Sequence, residues 1–222
     1  MAGGFVANCE HNLDNAYREA YALAGEKLSA LDSRLVCANT KATFSDAEKT
    51  YTVRYFNQLC HIRLGNGEVV FEGETAGLPV TEKVLVLHYL IHATPAPLRG
   101  ELISFKEIPG GGAIYYGNFK KRAIDPLVNV FSNNLAGFAA AAKAIGGEAE
   151  TLGDASAVVS VFPLVPVTYV IWQGDEEIPS SGTILFDKSV TGFLPDEDIV
   201  VVAGYGVYRM IGHAKKGMGA GR

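Results

Sequence analysis

This chain of 222 residues is poor in several features, and each scarcity narrows what it can be. Cysteine comes first: Cys9, Cys37 and Cys60 are the only three, they are widely spaced, and no Cys-x-x-Cys pair occurs. An odd number of scattered thiols does not make a disulfide framework, so a reducing, cytoplasmic setting is expected. Long apolar runs are also missing. Stretches such as Ile199–Ala203 fall far below the roughly 20 residues needed to cross a bilayer, and no membrane partner is expected. The start, Met1-Ala2-Gly3-Gly4-Phe5, has no basic residue ahead of an apolar core and does not read as a signal peptide. Positive charge is modest. The 19 Lys and Arg against 24 Asp and Glu give a net charge of −5, and only Lys120-Lys121-Arg122 and Lys215-Lys216 cluster. Nucleic-acid binders need a basic face, so no nucleic-acid partner is expected. No Gly-x-Ser-x-Gly elbow is present, and Pro109-Gly110-Gly111-Gly112-Ala113 lacks the Gly-Lys-Ser/Thr ending of a phosphate loop.

What is present describes a soluble globule. Hydrophobic residues make up 48% and charged residues 19%, enough for a sizeable core. The expectation is a single domain, 1–222, with loose termini at 1–11 and 217–222. Leu13, Ala16, Tyr17, Ala20, Ala24, Leu28 and Leu31 recur at helical steps and predict an amphipathic helix over about 12–32. From Leu35 to Phe71 the texture turns to strand: short Val-, Tyr-, Thr- and Phe-rich runs near 41–45, 50–56, 58–64 and 68–72. Gly65-Asn66-Gly67 marks a hairpin turn. Thr81–His92 predicts a helix stopped by Pro95 and Pro97, and Leu102–Phe105 a strand. Asp125–Ile145 predicts a helical region that Asn133-Asn134 could divide. Strands follow at 158–162, 167–172 and 183–186. A last helix starts at Pro195, with acidic Asp196–Asp198 in its first turn and Lys215-Lys216 at its end, the order that the helix dipole favours. The fold class is α+β: antiparallel sheets packed against about four helices, with long helices at both ends of the chain.

Three groups of residues could carry chemistry. His88 and His92 lie four apart on one helix, a metal-ligand spacing, but Tyr89 stands where a zincin has glutamate, and Leu85, Leu87 and Ile91 surround His88. A core histidine is the competing reading. The glycine loop, with Gly110 and Gly111, lies near Phe105, Tyr115, Tyr116 and Phe119 and near Lys120–Arg122. Ile114-Tyr115-Tyr116 reads as strand. Aromatic faces and cations suit a planar, anionic small molecule, with Arg122 as one counter-charge; a plain turn is the alternative. Third, Asp175, Glu176 and Glu177 follow the only tryptophan, Trp172, with Asp187 further on. Adjacent carboxylates repel unless a cation or donor sits among them, so one of them could serve as general acid or base or hold a divalent cation. A solvated turn is the alternative.

Taken together, several segments make a recognisable set: His88-Tyr89-Leu90, Ile103-Ser104-Phe105-Lys106-Glu107-Ile108-Pro109-Gly110-Gly111, Asp154, Phe162-Pro163-Leu164-Val165-Pro166-Val167, Trp172 with Asp175-Glu176-Glu177 and Pro179, Leu185-Phe186-Asp187, and Leu194-Pro195-Asp196-Glu197-Asp198. In this order they resemble the bacterial and archaeal family called domain of unknown function 3786, over about residues 13–212. That family has no established activity and is concentrated in strict anaerobes. Some relatives resemble fusions to a small iron–sulfur domain of the corrinoid iron–sulfur type. The resemblance implies anaerobic metabolism and a corrinoid or other tetrapyrrole context, with an iron–sulfur or corrinoid protein as partner. This chain lacks the four clustered cysteines that a cluster of its own would need.

Three readings follow. The chain is a binding protein for a corrinoid or haem, held by His88, Phe105, Gly110, Gly111, Tyr115, Tyr116, Arg122 and Trp172, with His88 or His61 as axial ligand. Alternatively it is an enzyme using Asp175, Glu176, Glu177 and Asp187, or a non-catalytic accessory protein that docks through the acidic loop.

Overall fold

The computed structural model describes residues 3–65, 68–72 and 79–219. The chain divides into two compact units, residues 1–95 and 96–222. Both combine helices with an antiparallel sheet, so the α+β expectation holds.

The first unit holds α1 (Gly3–Ser29), α2 (Ser33–Thr40), β1 (Thr43–Ser45), β2 (Thr50–Tyr55), β3 (Gln58–Arg63), β4 (Glu68–Phe71) and α3 (Val80–His92). Its strands form a meander in the order β1-β2-β3-β4, close to the predicted runs. Alternation decides which side is buried. Tyr51, Val53, Tyr55, Cys60, Ile62, Val69 and Phe71 point inward, and Thr50, Thr52, Arg54, Leu59, His61, Arg63, Glu68 and Val70 occupy the other side. Tyr55 and Phe71 stack at 5.3 Å. β2 and β3 are joined through Phe56-Asn57, with Phe56 at φ +53°. Of the predicted Gly65-Asn66-Gly67 turn, Asn66 and Gly67 lie outside the described residues; the flanking strands pair from Arg63↔Glu68. Helix α1 packs on α3 and presents Tyr21, whose hydroxyl oxygen accepts from the Val69 amide at 3.1 Å. Buried Tyr89 of α3 donates to the Thr40 carbonyl at 2.9 Å.

One stretch read as strand is a helix. The β texture begins not at Leu35 but after α2, because Asp32 caps that helix, accepting from the Arg34 amide at 2.8 Å. Lys41, at φ 60°, ends it. The first helix, predicted over 12–32, spans Gly3–Ser29. Of the termini expected to be loose, residues 1–2 and 220–222 lie outside the described residues.

The second unit holds β5 (Leu102–Ser104), α4 (Gly112–Phe119), α5 (Asp125–Phe131), α6 (Leu135–Ala144), β6 (Glu148–Glu150), β7 (Ala155–Phe162), β8 (Val165–Trp172), β9 (Ser181–Asp187) and α7 (Asp196–Gly219). Its sheet runs β5-β9-β8-β7-β6, all antiparallel. β7 and β8 turn at Pro163-Leu164, and the pairing slips beside Ser160/Phe162, opposite Pro166, which has no N–H to give to a ladder. Helices α6 and α7 pack together and against β7. Tyr169, fully buried in β8, donates to the Ala203 carbonyl of α7 at 3.2 Å. Asn133-Asn134 does divide the helical region: Asn134 caps α6 by accepting from the Gly137 amide at 2.9 Å. The seven α-helices among the described residues exceed the four expected, because α2, α4 and α5 are short. Long helices stand at both ends, as expected.

Candidate functional site

In the second unit, several quoted segments come together around the start of α4. Asp187 ends β9 and is 4% exposed. It accepts from the amides of Arg99 (3.0 Å), Gly100 (2.7 Å) and Ser189 (2.9 Å) and from the Ser189 hydroxyl. Burial pushes its carboxyl up, but the Ser189 hydroxyl and the three amides outweigh it and hold the group below its ordinary value. This carboxylate fastens the segment leading into β5. From there Phe105 enters the core and stacks on Phe119 at 4.4 Å, and Phe119 lies 6.1 Å from Phe186. Glu107 accepts from the Ser104 amide and hydroxyl, each at 2.8 Å, and the Ser104 amide, then its hydroxyl, hold it below the usual carboxylate range.

The glycine loop has a packing reason. A Cβ on Gly112 would collide with the Phe105 carbonyl oxygen, so only glycine lets α4 begin there. Gly110 is at φ +95°, and a Cβ on it would come within 2.9 Å of an Asp196 carboxylate oxygen. The loop and the start of α7, the helix of the Leu194–Asp198 segment, therefore meet.

Ile114-Tyr115-Tyr116, read as strand, is helical. Gly112, Tyr116, Phe119, Ala123 and Leu127 carry the inward side at steps of three and four, the periodic signal that could have found it. Tyr116 is half-buried, with the Lys106 ammonium 4.2 Å above its ring. Ile114 and Tyr115 are outward, 81% and 58% exposed. Between α4 and α5 the helix widens into a π-helical turn over Lys120–Ile124, closed by the Asp125 amide on the Lys120 carbonyl. Pro126 gives the reason: it has no N–H for the Arg122 carbonyl and its ring would crowd that carbonyl in a regular helix. Lys120 pairs with Asp125, and Lys121 and Arg122 are exposed.

Trp172 ends β8, 40% exposed. Behind it, Asp154 accepts from the Gln173 amide at 2.7 Å and donates its own amide to the Ile171 carbonyl at 2.9 Å, while the Gln173 side chain donates to the Ser132 carbonyl. Asp154 thus fixes where the strand ends. Asp175 builds the turn that follows: its carboxylate accepts from the Glu177 and Ile178 amides at 2.9 and 2.8 Å. The Ile178 and Glu177 amides hold it below the ordinary value. Glu176 and Glu177 are exposed. Among the described residues no three His, Cys, Asp or Glu are grouped to hold a metal ion.

His88 belongs to the first unit, half-buried on α3, with the His92 ring edge-on at 5.4 Å. Burial pushes the Cys60 thiol far up and the Cys37 thiol up, so neither is an activated nucleophile. No described helix is long and apolar enough to cross a membrane.

No curated protein and no solved structure matches the chain. Residues 32–209 match the family described as Domain of unknown function (DUF3786), which includes every segment gathered around α4 and the Trp172 strand end, and the chain belongs to that family.

Proposed function

We propose that this chain is a binding protein whose working surface is the outward side of α4 and the π-helical turn, and that its partner is an acidic protein. The supporting observation is the exposure of Ile114 and Tyr115 on a helix whose inward side is already satisfied by Phe119 and Ala123. Large adjacent apolar side chains in water have no folding role there. Lys106, Lys121 and Arg122, all exposed nearby in sequence, set the sign of the partner. A helix face is convex, and small ligands prefer concavities, so a protein surface is the better fit. The predicted enzyme role for Asp175 and Asp187 is less favoured, because both carboxylates are occupied by backbone amides and titrate low.

The test is a photo-crosslinker at Ile114 in the native host, compared with the same probe in a Lys121→Glu/Arg122→Glu chain. A discrete acidic partner lost on charge reversal supports the reading. Unchanged capture in the reversed chain sinks it.

One observation favours a second reading, the planar anionic cofactor: Tyr115 and Tyr116 beside Gly110 and Gly111, with Lys106 over the Tyr116 ring. Corrinoid or haem would lie against these rings, with Arg122 as counter-charge. Titration with cobalamin or haem should then move the visible absorbance bands, and Tyr115→Ala should abolish the shift.

A further inference from the structure

The first unit carries a feature outside the site just described. The outward side of β2, β3 and β4 holds a cleft of about 640 Å³, lined by Glu48, Thr50, His61, Arg63, Glu68 and Val70. Strand register arranges these groups in two cross-strand rows. Thr50, Arg63 and Glu68 form one; Thr52, His61 and Val70 form the other. Within the first row the Arg63 guanidinium and Glu68 carboxylate stand 3.9 Å apart, a loose pair too long for a hydrogen bond. Within the second, Thr52 Oγ1 lies 2.9 Å from His61 Nδ1, which fixes the ring and leaves Nε2 as its remaining polar atom. Thr50 donates to the Glu48 carbonyl at 3.0 Å, which ties the turn bearing Glu48 to the edge of the cleft.

The charges select the ligand. Arg63 and the His61 ring offer donors to an anion, but Glu48 and Glu68 would repel one that carried no positive charge. A pure cation meets the same carboxylates but faces Arg63. Only a molecule bearing both signs satisfies all the groups at once. We propose that this cleft binds a small zwitterion of the amino-acid class, its carboxylate on Arg63 and His61, its ammonium on Glu68 and Glu48, and its apolar part over Val70. The Arg63 guanidinium, 3.9 Å from the Glu68 carboxylate, would take the ligand carboxylate at hydrogen-bonding distance. The proposal is independent of the α4 surface, because it rests on residues of the first unit alone.

The experiment uses the full chain, uniformly labelled with ¹⁵N, titrated with each common amino acid, with sodium acetate, and with methylammonium chloride at matched ionic strength. At least one amino acid should shift the amides of Thr50, Thr52, His61 and Arg63 saturably, with a Kd of about 1 mM or tighter. Arg63→Gln and Glu68→Gln, each checked for an unchanged spectrum elsewhere, should each weaken it by about tenfold or more. Acetate and methylammonium should produce no saturable shift. Absence of saturation by any amino acid overturns the proposal. So does equal binding by acetate, or binding unaltered in both variants. None of these outcomes bears on the crosslinking result at α4.

Discussion

The two sheets use the same antiparallel pairing but bury different amounts of it. In β2 of the first unit only Tyr51, Val53 and Tyr55 are buried, every second residue. In β8 of the second unit, Val165, Val167, Thr168, Tyr169, Val170 and Ile171 are all buried, on both faces. A half-buried strand can place charged and polar groups on its open side without loss of core, whereas a doubly buried strand has no such freedom. The contrast explains why the polar cleft belongs to the four-stranded sheet. In the second unit, large exposed side chains stand instead at a strand end, as Trp172 does, or on a helix, as Ile114 and Tyr115 do on α4.

Substitutions can break this comparison. The largest effect is expected at Phe186, fully buried in β9 and paired across to Val167 and Ile103. Phe186→Ala should cost about 3–5 kcal/mol in urea unfolding; a loss below about 1 kcal/mol would show that the site collapses freely and that the second sheet is less tightly packed than its burial says. Next comes Asp187→Asn, expected to cost about 1–3 kcal/mol, because the amide cannot accept from all the donors that Asp187 now satisfies. The pH dependence carries a sign. Asp187 titrates lower folded than unfolded, so its contribution is complete above the ordinary value of 3.8 and disappears as pH falls through the lower folded value. The acid limb of the stability curve should therefore flatten in the variant and not in the parent. The smallest effect is expected at Leu59→Thr, on the open side of β3, within about 0.5 kcal/mol in either direction. A loss several-fold larger would mean that this side is covered in solution.

Much of this was readable from residue order alone. Strict alternation through Tyr51, Val53 and Tyr55 and through Cys60 and Ile62 placed β2 and β3 within a residue. Pro195 and the acids after it placed the start of α7. The α4 region was misread because aromatic and β-branched residues at 114–116 favour strands locally, while the inward steps of three and four emerge only over the longer window from Gly112 to Leu127. The roles of Asp175 and Asp187 were hidden for another reason. Both are satisfied by backbone amides, and an amide belongs to every residue but proline, so no spacing of side chains announces the partner. The cleft was hidden because Thr52, His61 and Val70 become neighbours only through strand register.

The π-helical turn at Lys120–Ile124 amounts to one extra residue in an otherwise continuous rod from Gly112 to Phe131. Removing that residue would not restore an undisturbed helix. It would rotate everything after it by about 100°, carrying Leu127 and Phe131, both fully buried, away from the core. The irregularity is thus what keeps two halves of one helix in step with a core that each must reach, and Lys121 and Arg122 are displayed as its by-product.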